Sequence, residues 1–320
     1  MAHYGCPMLA AIAAGALGLA LLAYASDQFV IGAARAATLL RLSPVVIGAV
    51  VIGFGTSAPE LLVSSLAAAQ GTLDIAVGNI VGSNIANLTL VLGAAALVTP
   101  IVVTTAVMRR EAPLSFLSVA LFALLVQGGA GRLEGTVLLL AVAASLWVVL
   151  RAAREDDPLL TSEVEEFVTA GVPSPRRETV RITLGLLGTL AGAQLLVWAA
   201  TTISAELGLA EGFVGLTVVA IGTSLPELAT AVQAGRKGET DLIVGNLLGS
   251  NIFNSTIVAG TAAMIGPGLP IDPTLTGLAT ILMVGVAALA SAAMATGQRV
   301  VRWEGALLLV GYAATLPFLA

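Results

Sequence analysis

Cys6 and His3 are the only cysteine and the only histidine in the 320-residue chain, and both come before its first apolar run. That excludes a disulfide framework, a Cys/His metal site and a histidine proton relay within the membrane. Aromatic residues are scarce at 4% and charged residues at 10%, and no basic cluster is large enough to hold a polyanion. The net charge of −5 comes mostly from one loop, so no nucleic-acid partner is expected. There is no HExxH string and no Ser/His pair for catalysis, which argues against an enzyme. What remains is the chemistry of oxygen ligands.

Apolar residues make up 58% of the chain and the mean hydropathy is +1.00, outside the range of a soluble domain. The solvent is a bilayer, and each crossing takes about 20 apolar residues. Such runs fall at 8–25, 44–69, 75–98, 113–130, 134–152, 179–203, 212–235, 241–265, 275–296 and 302–319. The reading is an all-α integral membrane protein of ten transmembrane helices. "AYA" at 23–25 resembles a signal-peptide cleavage site, but no Lys or Arg precedes Arg35, so the first span is expected to be retained.

With ten spans, the loops after spans 1, 3, 5, 7 and 9 hold thirteen of the 14 basic residues, and Arg132 stands alone on the other side. By the positive-inside rule both termini face out and the acidic, proline-containing loop 151–181 is cytoplasmic, in a plasma (inner) membrane. A short amphipathic helix at 159–168 is compatible with that loop.

A shift of 167 residues lays "GTSAPEL" (55–61) on "GTSLPEL" (222–228) and "VGNIVGSNIANLT" (77–89) on "VGNLLGSNIFNST" (244–256). Across 48–100 against 215–267, 25 of 53 positions are identical without a gap. The expected organisation is a five-helix repeat over 1–152, a linker over 153–178 and a second five-helix repeat over 179–320. Five is odd, so the second copy enters the membrane from the opposite side. Inverted repeats of this kind are typical of secondary transporters, with the substrate site at the repeat interface.

Pro59 and Pro226 cannot donate to the carbonyls of Gly55 and Gly222, so spans 2 and 7 are expected to be broken helices. Such backbone is tolerated at depth only when buried in protein or lining a wet cavity. Glu60 and Glu227 follow the breaks, with Thr56 and Ser57, or Thr223 and Ser224, on the same helix face. A central membrane charge costs about 2.5–3.5 kcal/mol, too much for two symmetric carboxylates with no task. In the second motif Asn79, Ser83 and Asn87, and likewise Asn246, Ser250 and Asn254, recur every four residues as a polar stripe. Ser83, Asn87, Ser250 and Asn254 are candidates for ion coordination. The pairs Gly78/Gly82 and Gly245/Gly249 suit close helix packing, and for Asn79, Asn84, Asn246 and Asn251 helix–helix hydrogen bonding competes equally. Asp74 and Asp241, which open spans 3 and 8, are expected to be N-caps. Asp27 lies near the inner end of span 1.

Carboxylates, hydroxyls, amide oxygens and carbonyls together form a hard-cation ligand set. Two glutamates plus a few carbonyls or waters would meet the needs of Ca²⁺, and the same oxygens could hold Na⁺. Mutually exclusive occupation of one site is a physical basis for exchange.

The duplicated GTSxPE and GSNIxN motifs resemble the α-repeats of the Ca²⁺/cation antiporter superfamily, most closely its prokaryotic sodium/calcium exchangers. The resemblance implies ion-site roles for Thr56, Ser57, Glu60, Ser83 and Asn87, and for Thr223, Ser224, Glu227, Ser250 and Asn254. It also implies that the carbonyls of Gly53 and Ala220 are ligands, and that access switches by sliding of the two long helices, spans 1 and 6. Asn at both 87 and 254 argues against K⁺ co-transport, since potassium-dependent relatives carry an acid there. GTSAPE and GTSLPE, rather than a GNAxE-like string, favour Na⁺ over H⁺ as the driving ion. The function expected is Na⁺/Ca²⁺ antiport by alternating access, with H⁺/Ca²⁺ exchange as the alternative and a passive cation channel further behind. Ca²⁺ and Na⁺ are cargo, no cofactor is expected, and the partners are these cations and the lipid bilayer, with a monomer sufficing.

Overall fold

The structure is a computed structural model that describes residues 5–42, 47, 53–152, 174–238, 240–266, 268 and 271–318. It is nearly all helix. In chain order the helices are α1 (Gly5–Leu39), α2 (Gly53–Thr56), α3 (Ala58–Ala69), α4 (Leu73–Val98), α5 (Thr105–Val126) and α6 (Arg132–Ala152). They continue as α7 (Pro175–Leu207), α8 (Glu211–Thr223), α9 (Leu225–Lys237), α10 (Leu242–Ile265), α11 (Leu275–Ala295) and α12 (Arg302–Thr315). Five of them, α1, α4, α7, α10 and α11, are each long and apolar enough to cross a bilayer, and the bent pair α8/α9 is long and apolar enough for a sixth if its two helices form one span. The linker residues 153–173, including the 159–168 segment, lie outside the described residues.

Burial sorts these helices into a centre and a periphery. In the most apolar stretches of α4 and α10, 83% and 78% of residues are buried in protein, against 28% in α1 and 39% in α7. The outer helices present large apolar side chains such as Leu17, Leu124, Leu184 and Leu289 on their exposed faces, as a lipid-facing surface requires. The two helices that carry the GSNIxN motifs are therefore the innermost.

α1 is longer than its apolar run. It continues through Asp27 and Arg35 to Leu39, about 52 Å of helix at 1.5 Å per residue. It lies along α7, meeting it at Gly15/Ala199, Gly18/Gly192, Ala25/Gly188, Phe29/Gly185 and Ile182/Gly32. Residue numbers rise on one helix as they fall on the other, so the two run antiparallel. Arg35 is consequently not a loop residue: it is buried at 2% exposure and faces the fully buried Glu178 at 3.8 Å, while Arg181 donates to the other carboxylate oxygen at 3.2 Å.

Close backbone approach at glycine recurs. Gly93 of α4 packs on the Gly305 carbonyl of α12, and Gly260 of α10 on the Gly135 carbonyl of α6. Both outer partners open with the same string, Arg-x-Glu-Gly, at 132–135 and 302–305. In each, the glutamate turns back to the helix start: Glu134 accepts from the Gly131 N–H at 3.1 Å and Glu304 from the Val301 N–H at 2.8 Å. The duplication thus reaches beyond the two motifs, at a slightly different offset.

The connections also pair up. Ile101–Val102 and Arg299–Val300 form a two-residue antiparallel ribbon, extended by the Val103 N–H donating to the Gln298 carbonyl at 2.8 Å. On another connection, Asp74 accepts from the Asp272 N–H at 2.8 Å. Asp74 is therefore not the cap of its own helix. That position is Thr72, and Asp74 instead ties the segment before α11 to the start of α4. The side chain of Asp241 lies outside the described residues.

Gly78 and Gly82 behave as packing glycines, whereas their counterparts Gly245 and Gly249 do not, since a Cβ at either would meet nothing within 4 Å. A Cβ at Gly82 would collide with the Leu216 carbonyl and lie 2.5 Å from the Ala220 Cβ, so α4 and α8 touch backbone to backbone. Gly82→Ala is expected to destabilise the protein by about 1–3 kcal/mol through overpacking. Thermal melting in detergent would show this as a lower midpoint, whereas Gly311→Ala on the exposed face of α12 should melt like the wild type. An unchanged midpoint for Gly82→Ala would contradict the close approach.

Candidate functional site: a buried oxygen cluster

Two equivalent breaks build the site. Ser57 separates α2 from α3 with φ −89° and ψ 12°, and Ser224 separates α8 from α9 with φ −86° and ψ 5°, the second with a bend of 41°. Each following helix carries proline in its first turn, at Pro59 and Pro226, where a missing N–H does no harm. Glu60 and Glu227 come next, at 0% and 2% exposure.

The two carboxylates belong to one cluster. Glu60 lies beside the hydroxyls of Thr223 and Ser224 from the other repeat motif, and it is close enough to Glu227 for their charges to repel. α4 and α10 cross behind them, where the Asn87 amide donates to Asn251 Oδ1 at 3.0 Å and the Asn251 amide donates to the Asn84 carbonyl at 3.3 Å. Ser255 adds a contact to Asn84 Oδ1 at 3.4 Å. Asn84 and Asn251 therefore serve the helix crossing.

The hydrogen-bond inventory separates ligands from scaffold. Among the described residues, the buried side-chain atoms without a hydrogen-bond partner include both carboxylate oxygens of Glu60 and of Glu227, and the hydroxyls of Ser57, Ser224 and Ser250. They also include Asn87 Oδ1 and both amide atoms of Asn254. Buried polar groups are ordinarily paired, and a buried unpaired carboxylate is among the costliest groups a fold can carry. Nine of these ten atoms are oxygens that a cation would satisfy; the tenth, Asn254 Nδ2, is a donor and cannot ligate one. Thr223 and Ser83 are engaged with protein atoms instead: Thr223 donates to Asn79 Oδ1 at 3.1 Å and faces the Ser83 hydroxyl at 3.5 Å. Thr56 also has a contact within the protein. The Ala220 carbonyl accepts from the Ser224 N–H at 3.1 Å and lies 3.3 Å from the Thr223 hydroxyl. Gly53 opens α2. Among the described residues no three His, Cys, Asp or Glu side chains form a cluster able to hold a metal ion, so two carboxylates are the whole charge and neutral oxygens must supply the remaining ligands.

One feature escaped the sequence reading. Asn87 and Asn254 each begin a π-helical turn, Asn87–Val91 and Asn254–Val258, inside otherwise α-helical spans. Two residues on, a threonine hydroxyl donates to the carbonyl four residues back: Thr89 to Ile85 and Thr256 to Ile252, both at 2.5 Å. A third turn, Gly215–Val219, has the same feature, with Thr217 donating to Phe213 at 2.7 Å. π-turns frequently mark functional sites, and here they set where the site asparagines project. The only signal was the Asn-x-Thr spacing in both copies.

An innermost pair of helices crossing at a polar cluster, with broken helices bringing two carboxylates against them, is the arrangement of a membrane ion carrier. Residues 10–151 and 178–320 match the family profile described as sodium/calcium exchanger protein, and the chain belongs to that family. It is 42% identical to CaxA of Alkalimonas amylolytica over 92% of this chain and 94% of the relative. It is 29% identical to the sodium/calcium exchanger MaX1 of Methanosarcina acetivorans over 95% and 96%. Among solved structures, the sodium-calcium exchanger NCX_Mj soaked with Na⁺ and Sr²⁺ superposes with a TM-score of 0.67 at 31% identity, covering 97% of this chain and 99% of that one. The chain is a multi-pass membrane protein.

Proposed function

We propose that this chain exchanges Na⁺ for Ca²⁺ across the membrane by alternating access, with Glu60 and Glu227 as charged ligands shared by the two ions. The carrying observation is that pair of buried carboxylates, one from each repeat motif, whose four oxygens make no hydrogen bond of regular geometry among the described residues. Their summed charge of −2 cancels one Ca²⁺, and the neutral hydroxyl and amide oxygens around them suit its need for six to eight ligands. Ser57, Ser224, Ser250, Asn87 and Asn254 are the first choice for those neutral ligands. Thr56, Thr223, Ser83 and the carbonyls of Gly53 and Ala220 are the next.

The architecture in this reading is ten spans in two inverted five-helix repeats, 1–152 and 179–320, joined by a cytoplasmic linker, with both termini outside. Three observations support it. The equivalent helices α1 and α7 run antiparallel. The ribbon joins connections that follow spans 3 and 9, both inside in this plan. Asp74 and Asp272 join connections that follow spans 2 and 8, both outside. A mixed pairing would have broken the plan. The site is complete within one chain, so a monomer suffices.

The deciding measurement is Ca²⁺ uptake into proteoliposomes loaded with Na⁺, with the pH gradient collapsed by an ionophore. Saturable uptake that depends on the Na⁺ gradient is expected. Uptake that follows the pH gradient and ignores Na⁺ would mean H⁺/Ca²⁺ exchange, and conductance without a counter-ion would mean a channel.

A further inference from the structure

We propose that Ser64 is a positioning residue for the cation site: through Asn79 it draws the hydroxyl proton of Thr223 away, so that Thr223 can offer its lone pairs to the bound ion. This rests on the reading of the Glu60/Glu227 cluster as a cation site.

A hydroxyl has one proton, and it ligates a cation only through oxygen lone pairs, so the proton must go to another acceptor. The polarity of a chain of hydrogen bonds gives it one route. The carbonyl of Ala76 can only accept, and Ser64 Oγ donates to it at 3.4 Å. The Ser64 oxygen is then left to accept from Asn79 Nδ2, at 3.0 Å. With its nitrogen held on that side, the Asn79 amide turns its oxygen to Thr223, whose hydroxyl donates to it at 3.1 Å. Ser64, Asn79 and Thr223 are all at 0% exposure, so no solvent competes for these protons. The Thr223 hydroxyl at the end of the chain lies beside the Glu60 carboxylate. Without Ser64 the Asn79 amide loses the partner that orients it. It can then turn over and aim an N–H at Thr223, occupying a lone pair the ion needs.

The relay exists in one half only. The position equivalent to Ser64 after the 167-residue shift is Ala231, buried at 2% and without a hydroxyl. The two halves of the site are therefore not interchangeable, although their motifs are the same. The carbonyl of Ala220, 3.3 Å from the Thr223 hydroxyl, and the Glu60 carboxylate beside it are further acceptors for the same proton, so losing Ser64 should weaken the site and not abolish it.

The test is calorimetric titration of the purified full-length protein with CaCl₂ in Na⁺-free buffer, alongside Ca²⁺ flux in proteoliposomes. Ser64→Ala is expected to raise the Kd and the KM for Ca²⁺ together, on the order of fivefold to tenfold, as fits one hydrogen bond, with the maximal rate near that of the wild type. In a Thr223→Val background the same change should add nothing, because the group it acts through is gone. An unchanged Kd, a lowered maximal rate at unchanged Kd, or effects that multiply in the double variant would overturn the proposal. If Thr223→Val binds too weakly to titrate, the Kd of Ser64→Ala against the wild type decides. If Ser64→Ala does not fold, Ser64→Cys, whose thiol is a weak donor, is expected to shift Kd in the same direction, and a wild-type Kd would count against the proposal. A wild-type protein that binds Ca²⁺ but shows no counter-ion-dependent flux would remove the exchange reading and leave this one standing.

Discussion

Glu60→Gln and Glu227→Gln are each expected to lose Na⁺-coupled Ca²⁺ transport by two to three orders of magnitude or more. Breaking a buried charge pair by removing one partner costs about 3–5 kcal/mol, and each 1.4 kcal/mol is about a factor of ten in binding. A site with one carboxylate would set one negative charge against a divalent ion. Stability should move the other way. In the ion-free fold the carboxylates are buried in one cluster and make no hydrogen bond of regular geometry among the described residues. A glutamine of nearly the same shape removes an ionisable group that is costly to bury, so the ion-free variants should melt no lower than the wild type. Loss of flux with unchanged or raised melting temperature separates a missing ligand from a broken fold. Should either variant keep Na⁺-coupled Ca²⁺ flux, its carboxylate is not a required ligand.

The parts of the site legible in the sequence were those that repeat or break a local rule. A proline beside a glutamate in an apolar run is costly twice over, and its recurrence 167 residues later marked both helix breaks, at Ser57 and Ser224. The polar stripe was legible from its four-residue spacing, but its division of labour was not. Asn84 and Asn251 hold the crossing while Asn254 has no partner, and nothing in the repeated GSN string distinguishes these tasks. The π-turns leave hydropathy and propensity unchanged. Where α1 ends was hidden for another reason. Asp27, Gln28 and Arg35 end the hydropathy run, yet the helix continues to Leu39 because α7 covers that stretch and supplies Glu178 to Arg35. Asp74 looked like a cap because a carboxylate at a helix start ordinarily is one. Its partner, the Asp272 N–H, is 198 residues away and only the fold brings it there.

The Arg35–Glu178 contact carries the second large expected effect. Glu178 is in the first turn of α7, where a helix N-terminus favours a carboxylate, and it is fully buried between Arg35 and Arg181. Glu178→Ala would take the facing carboxylate from the guanidinium of Arg35, buried at 2% exposure, and is expected to cost about 1–3 kcal/mol. Arg181 is 18% exposed, and Arg181→Ala should cost no more than about 1 kcal/mol, as for solvent-screened pairs. Replacing both buried partners, Arg35→Met with Glu178→Met, should recover part of the loss, because an apolar pair avoids the desolvation that the ion pair must offset. Melting curves of the four proteins in detergent test this order, and a Glu178→Ala protein that melts with the wild type would refute it. The contact also bears on transport. α1 and α7 touch through glycines along their length and through this ion pair at one end, so the two are joined more firmly to each other than to lipid. If they slide over the other helices as one unit, loosening their union should lower the maximal Ca²⁺ flux while leaving Ca²⁺ binding at the Glu60/Glu227 cluster intact, the reverse of the pattern expected for Ser64→Ala.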